Sequence, residues 1–258
     1  MSKLLTLLAA AWLTGCANIA DAGAVVDVSV INRSSGERLP TYRHDGRLYV
    51  AGGPGDRYAV ELRNRSGGRV LAVLAVDGVN VVTGQTAAPA QSGYVLDAGS
   101  RAEISGWRKS MDDVAAFYFT ALPDSYAART DRPDNVGVIG VAVFRERIEP
   151  RVELQPPALT KSETLGAARA APAAPAAEAS ALQESKRAVV EDRLGTGHGE
   201  RIAEATRHTD FRRASTRPVE TITIYYDSYR NLVARGVIPS APRPPQPFPG
   251  GFVPDPRG

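Results

Sequence analysis

Aromatic and charged side chains concentrate in two places along the sequence. Trp107-Arg108-Lys109 ends a predicted strand, and the longest predicted loop, residues 122–135, carries further residues of both kinds. Binding residues collect on loops, and a cation beside an aromatic ring can hold an anionic or sugar-like ligand. The alternative interpretation places Trp107 in the core and leaves the cations merely solvated. The candidate binding surface consists of Trp107, Arg108, Lys109, Asp124, Tyr126, Arg129 and Arg132.

Histidines are present without the neighbours that catalysis or metal binding requires. The sequence holds only His44, His198 and His208. No Gly-x-Ser-x-Gly elbow accompanies them, so a hydrolytic triad has no favourable arrangement. His44 is interpreted as a turn residue. Three histidines without cysteine partners or helical spacing do not form a ligand set, and the sequence predicts no metal site.

Paired carboxylates and a glycine-rich stretch are the remaining chemical candidates. Asp112 with Asp113, or Asp131 with Asp134, could act as acid and base on a sugar, but adjacent surface carboxylates are typical of caps and turns. The stretch Gly195–Gly199 follows a predicted helix rather than a strand, which favours a linker over a nucleotide loop. We therefore predict a chain that is not an enzyme and that has no cofactor.

The only cysteine in the chain, Cys16, ends the stretch Leu13-Thr14-Gly15-Cys16. A positively charged start and an apolar run of about nine residues precede it, too short for a membrane span of about 20 residues. The stretch resembles the lipobox of bacterial lipoproteins, where the thiol is diacylated and the peptide is cut before the cysteine. We expect a signal peptide over residues 1–15, lipidation of Cys16 (palmitate among the acyl chains) and a tether over 16–23. Ala17-Asn18 resembles the sorting pattern of the outer-membrane class, facing the periplasm.

Composition places limits on partners and on the sources of stability. A single cysteine allows no internal disulfide, so a hydrophobic core must stabilise the fold. The hydrophobic share of 43% and the charged share of 23% are ordinary for globular proteins. A net charge of +3 is too small to indicate nucleic acid. The predicted partners are the membrane, through the lipid anchor, and an unidentified envelope protein or cell-wall component.

Short segments of strand pattern with frequent turn signals predict the fold. Tyr58–Leu62 alternates apolar and polar residues, Val70–Val76 is apolar on both faces, and Asn64–Gly68 between them predicts a hairpin loop. Asp77-Gly78 predicts a tight turn, and Ser110–Asp113 has the pattern of a helix start. Turn signals every eight to twelve residues without a long helix indicate an all-β, antiparallel β-sandwich over residues 24–155.

The C-terminal part of the sequence changes character twice. An Ala/Pro-rich stretch, residues 156–218, predicts a linker with one short helix. Residues 219–236 predict a strand and a helix, and because an isolated strand needs a host sheet, we expect it to pair with an edge strand of the sandwich. Residues 237–258, rich in proline, predict a disordered tail.

Several local motifs resemble an uncharacterised family of proteobacterial exported proteins. They cover about residues 38–150 and 219–236, and the resemblance implies no known activity. The motifs are Asp77-Gly78-Val79-Asn80, Ser92-Gly93-Tyr94, Gly106–Ser110, Asp124-Ser125-Tyr126, Arg132–Val138 and Ile224–Ser228.

Three functional hypotheses follow from the sequence. The favoured one is a lipid-anchored envelope protein that acts as a non-catalytic binding or scaffold module for a protein or a cell-wall partner. The alternative is a structural lipoprotein of an envelope-spanning secretion or assembly machine. A cell-wall hydrolase is the third hypothesis, and the absence of an acid, base and histidine constellation argues against it.

Overall fold

A computed structural model of the 258-residue chain describes residues 22–148 and 193–240. The described residues form thirteen strands and two short α-helices. The strands are β1 (Val26–Asn32), β2 (Thr41–His44), β3 (Arg47–Gly52), β4 (Tyr58–Asn64), β5 (Val70–Val76), β6 (Val79–Asn80), β7 (Tyr94–Leu96), β8 (Arg101–Ile104), β9 (Gly106–Arg108), β10 (Asp113–Ala121), β11 (Val138–Arg145), β12 (Leu194–Ala203) and β13 (Glu220–Ser228), and the helices are α1 (Tyr126–Arg129) and α2 (Tyr229–Ala234).

Nearly all strand pairs are antiparallel, and the strands form a sandwich-like arrangement. One sheet has the order β2-β3-β13-β11-β5-β6, with β7 also paired to β5. Two smaller sheets, β1-β4-β8 and β12-β10-β9, continue one another because β8 runs into β9 through Ser105, whose carbonyl accepts from the Phe117 N–H at 2.8 Å. The main core holds side chains from all three sheets, including Val28, Leu74 and Phe117. The predicted all-β sandwich is confirmed.

The loop between β4 and β5 connects two different sheets. The predicted hairpin is therefore wrong, since β4 pairs with β1 and β8 whereas β5 pairs with β11, β6 and β7. The fully buried Asn64 explains the difference. Its Nδ2 donates to the carbonyls of Gly68, Leu96 and Asp97, and its Oδ1 accepts from the Ser66 N–H at 2.9 Å. These bonds hold the loop in a conformation that carries the chain from one sheet to the other. The alternation of apolar and polar residues in the strands does not distinguish such a connection from a hairpin.

Two other predictions from the core region are confirmed. β5 is buried along nearly its whole length and lies inside the large sheet. Asp77-Gly78 forms the tight turn to β6, with positive φ at both residues, 54° and 72°. Consecutive positive φ values twist a turn in the sense that matches the strands on either side of it.

The C-terminal strand β13 pairs with the sandwich, but not at an edge. It lies between β3, to which it is parallel, and β11, to which it is antiparallel. The predicted edge position is wrong because, among the described residues, β2 and β3 join the rest of their sheet only through β13. This places β13 inside the sheet. Helix α2 follows as predicted, with Ser228 as the N-cap and Gly236 at a φ of 72° just past its end. Leu232 of α2 is fully buried against Tyr49.

Residues 194–203, within the stretch predicted as a linker, form the ten-residue strand β12 along β10. The glycines that suggested a linker are needed for close packing. A Cβ on Gly195 would meet the Cβ of Ser125 at 2.6 Å, and one on Gly197 would meet the Tyr118 ring at 2.1 Å. Glycine in a strand often marks such a close approach.

The predicted helix start at Ser110–Asp113 is also wrong. The Ser110 hydroxyl accepts from the backbone N–H groups of Asp112 and Asp113, and this turn leads directly into β10. The signal peptide, Cys16, nearly all of the tether, the first part of the predicted linker including its helix, and nearly all of the tail lie outside the described residues. No helix in the described ranges is long and apolar enough to cross a membrane.

Candidate functional site

Three aromatic rings lead from the core to the surface at the end of β9. Trp107 is 1% exposed and packs edge-on against Phe117 at 4.8 Å between ring centroids. On another side it contacts Tyr126 at 4.8 Å, and the His198 ring lies almost parallel to it at 6.2 Å. The ring centroids of Tyr126 and His198 are 5.0 Å apart. Tyr126 is partly buried, and His198 is exposed. The two outer rings therefore form a surface that rests on a buried indole.

Positive side chains surround these rings. The Lys109 ammonium lies 5.5 Å from the centre of the Tyr126 ring, within the range of a cation–π contact. Desolvation lowers the pKa of His198, and the charges of Lys109, Arg129 and Arg201 lower it further. Desolvation and the charge of Arg201 also lower the pKa of Lys109. All the side-chain charges that act on these two pKa values are positive, so the rings lie in a positively charged part of the surface.

We call this set of residues the aromatic-basic patch. It comprises Trp107, Lys109, Tyr126, Arg129, His198 and Arg201.

Separate segments of the chain hold the patch in place. A Cβ on Gly106 would lie 2.1 Å from the carbonyl oxygen of Ala115, so only glycine lets β9 approach β10 here. The Ser125 hydroxyl caps α1 by accepting from the Ala128 N–H at 3.2 Å, and it also donates to the Leu122 carbonyl at 2.7 Å. This buried cap fixes the start of the helix that carries Tyr126 and Arg129.

One polar atom at the base of the patch has no partner. The Nε1–H of Trp107 is buried and has no acceptor among the described residues. An unpaired buried donor costs about 1–3 kcal/mol. Such groups call for an explanation, and a functional role is one of the recognised explanations.

The structure brings together only part of the predicted surface. Trp107, Lys109, Tyr126 and Arg129 meet in the patch, whereas Arg108 points elsewhere and pairs with Glu204 at 2.9 Å, its side chain only 8% exposed. Arg132 approaches the Gly84 carbonyl at 3.4 Å. Asp124 is exposed in a short 3₁₀ turn before α1, and no interaction with the patch is seen.

His198 and Arg201 are the two patch residues that the sequence analysis missed. Both lie on β12. A linker is predicted there from the sequence because the segment is rich in glycine. Glycine occupies every second position in Gly195-Thr196-Gly197-His198-Gly199, and this period of two was the available signal for a strand.

A groove of about 550 Å³ lies on the other side of Arg108. Residues 90–95 form one wall and residues 206–213 the other, with the apolar side chains of Leu71, Val82 and Phe211 in the lining. Arg213 joins the walls by donating to the carbonyls of Pro89 at 3.0 Å and Gln91 at 2.6 Å. The groove has the size of a cleft that holds a short peptide segment or small molecule.

A buried polar network connects the two C-terminal strands to the turn after β5. The fully buried Asp77 carboxylate accepts from the Tyr226 hydroxyl at 2.5 Å, the Thr196 N–H at 2.8 Å and the Gly137 N–H at 2.9 Å. The Thr196 hydroxyl lies 2.6 Å from both Tyr226 Oη and Tyr58 Oη. Burial raises the pKa of Asp77 to about 6. This enclosed network is not accessible to a substrate and stabilises the packing of β12 and β13.

The other candidate chemical groups are used in turns. Asp113 contacts the Ser110 hydroxyl at 3.4 Å, and His44 lies at the end of β2 with its Nε2 3.3 Å from the Asp45 carboxylate. Within residues 22–148 and 193–240, no group of three or more histidine, cysteine or acidic side chains is arranged to hold a metal ion.

Comparisons of the chain with protein-family models, with curated proteins and with solved structures give no match.

Proposed function

We propose that this chain is a lipid-anchored envelope protein that binds an anionic cell-wall glycan through the aromatic-basic patch, without catalysing a reaction. The observation that carries the proposal is the meeting of Tyr126, His198 and Lys109 on the buried Trp107, because this places a partly exposed ring, an exposed ring and a cation side by side. Attachment through Cys16 and residence in the outer membrane, facing the periplasm, belong to the same proposal and depend on the lipobox.

The chemistry of the patch suits a charged sugar. Aromatic faces pack against the apolar C–H face of a pyranose ring, and cations form charge-assisted hydrogen bonds with carboxylates. Arg129 and Arg201 add positive charge that acts on His198. A neutral sugar would use the rings alone, so the positive field favours a polymer that carries carboxylates.

Sedimentation with purified peptidoglycan sacculi tests the proposal. We expect the mature protein to sediment with the sacculi and Lys109→Ala with Arg129→Ala to lower the affinity by roughly 100-fold or more, since hydrogen bonds to charged groups contribute about 1.5–3 kcal/mol each. Arg33→Ala with Arg43→Ala removes the same charge from exposed positions elsewhere and should leave binding unchanged. Equal sedimentation of both double variants, or no sedimentation of the unmodified protein, would refute the proposal.

The groove beside Arg108 favours a second candidate function, that of a structural component of an envelope-spanning machine. Tyr94 and Phe211 line it among apolar residues. Aromatic side chains in a cleft of this size are typical of protein-binding sites. In vivo photo-crosslinking from Phe211 would capture a protein partner in this case and would capture none if the glycan is the only partner.

A further inference from the structure

Exposed arginines and exposed apolar side chains lie together at one end of the sandwich. Arg145, Arg147 and Arg217 are exposed, and none of their guanidinium groups has a hydrogen-bond or ion-pair partner in the part of the chain that the structure describes. Ile148 is 89% exposed and Val219 47% exposed, two of the three large hydrophobic side chains that are exposed in the described ranges. We call these five residues the basal patch.

Backbone contacts show that the basal patch is one surface. The Ala214 N–H donates to the Arg145 carbonyl at 2.9 Å, and the Arg147 N–H donates to the Arg212 carbonyl at 2.7 Å. The segment that leads to Arg217 and Val219 therefore runs beside the end of β11. Exposed cations and apolar groups from both segments therefore lie near one another at this end of the sheet.

The N-terminal segment leaves the domain at this same end. The Glu220 carboxylate, next to Val219, accepts from the backbone N–H groups of Ala24 at 2.5 Å and Val26 at 3.1 Å. Cys16 precedes the first described residue, Ala22, by six residues, which span at most about 20 Å. An acyl anchor on Cys16 would thus hold the basal patch close to the membrane surface.

We propose that the basal patch is the membrane-contact surface of the protein and binds anionic phospholipid head groups. The proposal rests on the lipid anchor of the proposed function. Arginines near an anionic lipid surface each strengthen binding by about fivefold, and exposed apolar side chains such as Ile148 can enter the interfacial region beside them. The anchor and the patch would then fix the orientation of the domain and leave the aromatic-basic patch free for the cell wall.

Vesicle sedimentation of the unlipidated protein tests this inference. The mature chain, residues 16–258 with Cys16→Ser, is mixed with vesicles of equal parts phosphatidylglycerol and phosphatidylcholine, or of phosphatidylcholine alone. We expect binding to the anionic vesicles only, with a loss of affinity at high salt because screening weakens contacts between exposed charges. Replacing Arg145, Arg147 and Arg217 by glutamine should lower the affinity by roughly 100-fold, and Ile148→Ser should lower it further.

The matched control removes the same charge at a different place. Arg33→Gln, Arg43→Gln and Arg230→Gln act on exposed arginines outside both the basal patch and the aromatic-basic patch and should leave vesicle binding within about twofold of the unmodified protein. Circular dichroism and thermal unfolding confirm that each variant is folded. Equal losses in the two triple variants, or equal binding to neutral and anionic vesicles, would overturn the inference.

The assay separates this inference from the proposed function. The protein carries no acyl chain in it, so a lack of acylation at Cys16 in cells would leave the vesicle result unchanged. Conversely, failure of vesicle binding would leave sacculus binding by the aromatic-basic patch and acylation of Cys16 intact.

Discussion

The buried Asp77 should make the stability of this protein depend on pH in an unusual direction. Its pKa in the folded protein is about 6, above the value of 3.8 for an unperturbed aspartate, because burial disfavours the charged form more than three donors favour it. The folded state therefore holds this proton more tightly than the unfolded state does. The contribution of Asp77 to stability is complete below pH 4 and is lost as the pH rises through 6.

The size of the effect follows from the two pKa values. A difference of about 2 units corresponds to about 3 kcal/mol of unfolding free energy at 1.36 kcal/mol per unit. The neutral acid fits the site. The hydroxyls of Tyr226, Thr196 and Tyr58 form a chain of hydrogen bonds in which either partner can donate. When Asp77 is protonated, each hydroxyl can turn so that Tyr226 accepts the carboxyl proton.

Asp77→Asn isolates this contribution. Asparagine tolerates the positive φ of the turn, but it does not titrate, and its amide N–H₂ replaces an oxygen that accepts from Thr196 or Tyr226. Urea unfolding at several pH values should show the unmodified protein losing about 2–3 kcal/mol relative to Asp77→Asn between pH 4 and 7. The other titrating groups cancel in this difference.

Asp45→Asn provides the matched control. Asp45-Gly46 is a turn with the same sequence and nearly the same φ values, 47° and 73°, but its carboxylate is exposed. The control should leave the pH profile within a few tenths of a kcal/mol of that of the unmodified protein. If Asp77→Asn and Asp45→Asn have the same pH profile, Asp77 does not titrate in the folded protein as burial requires.

Three further predictions concern the anchor and the packing. Cys16→Ser should release the protein from the membrane fraction, and mass spectrometry of the unmodified protein should find an acylated Cys16. If Cys16 carries no acyl chain, or if Cys16→Ser stays in the membrane fraction, the prediction of a lipobox is contradicted. Gly106→Ala should destabilise the fold by about 2 kcal/mol or more because its Cβ would collide with the Ala115 carbonyl, whereas Gly67→Ala, which meets nothing within 4 Å, should cost less than about 1 kcal/mol. Leu232→Ala should cost about 2–4 kcal/mol by leaving a cavity under α2, and a loss below 1 kcal/mol in chemical denaturation would show that the helix is not firmly docked.

Local patterns predicted the strands well and their partners poorly. The alternation at Tyr58 and the apolar run from Val70 are direct consequences of how strands expose their two faces, and both strands form. Whether consecutive strands pair or cross between sheets depends on Asn64, which hydrogen-bonds to a segment thirty residues away. Such a contact has no signature in the neighbouring sequence.

The same reason limits what the sequence revealed about the candidate site. Trp107, Lys109, Tyr126 and Arg129 were found by residue type, and their meeting followed from a loop beside a strand end. His198 was missed because glycine-rich composition normally indicates a linker. Here the glycines permit close packing, a role that depends on the Tyr118 ring of the facing strand.

The most direct test of glycan binding at the aromatic-basic patch is the pKa of His198 in the presence and absence of soluble anionic cell-wall fragments. Histidine proton resonances can be assigned with His44→Gln and His208→Gln, since the chain has only three histidines. In the free protein we expect the pKa of His198 to lie below the usual value of 6.5. Bound carboxylates should raise the pKa of His198 while the resonances of the other two histidines stay unchanged. An unchanged His198 at a saturating concentration of fragments, or the same shift in all three histidines, would contradict the proposed function.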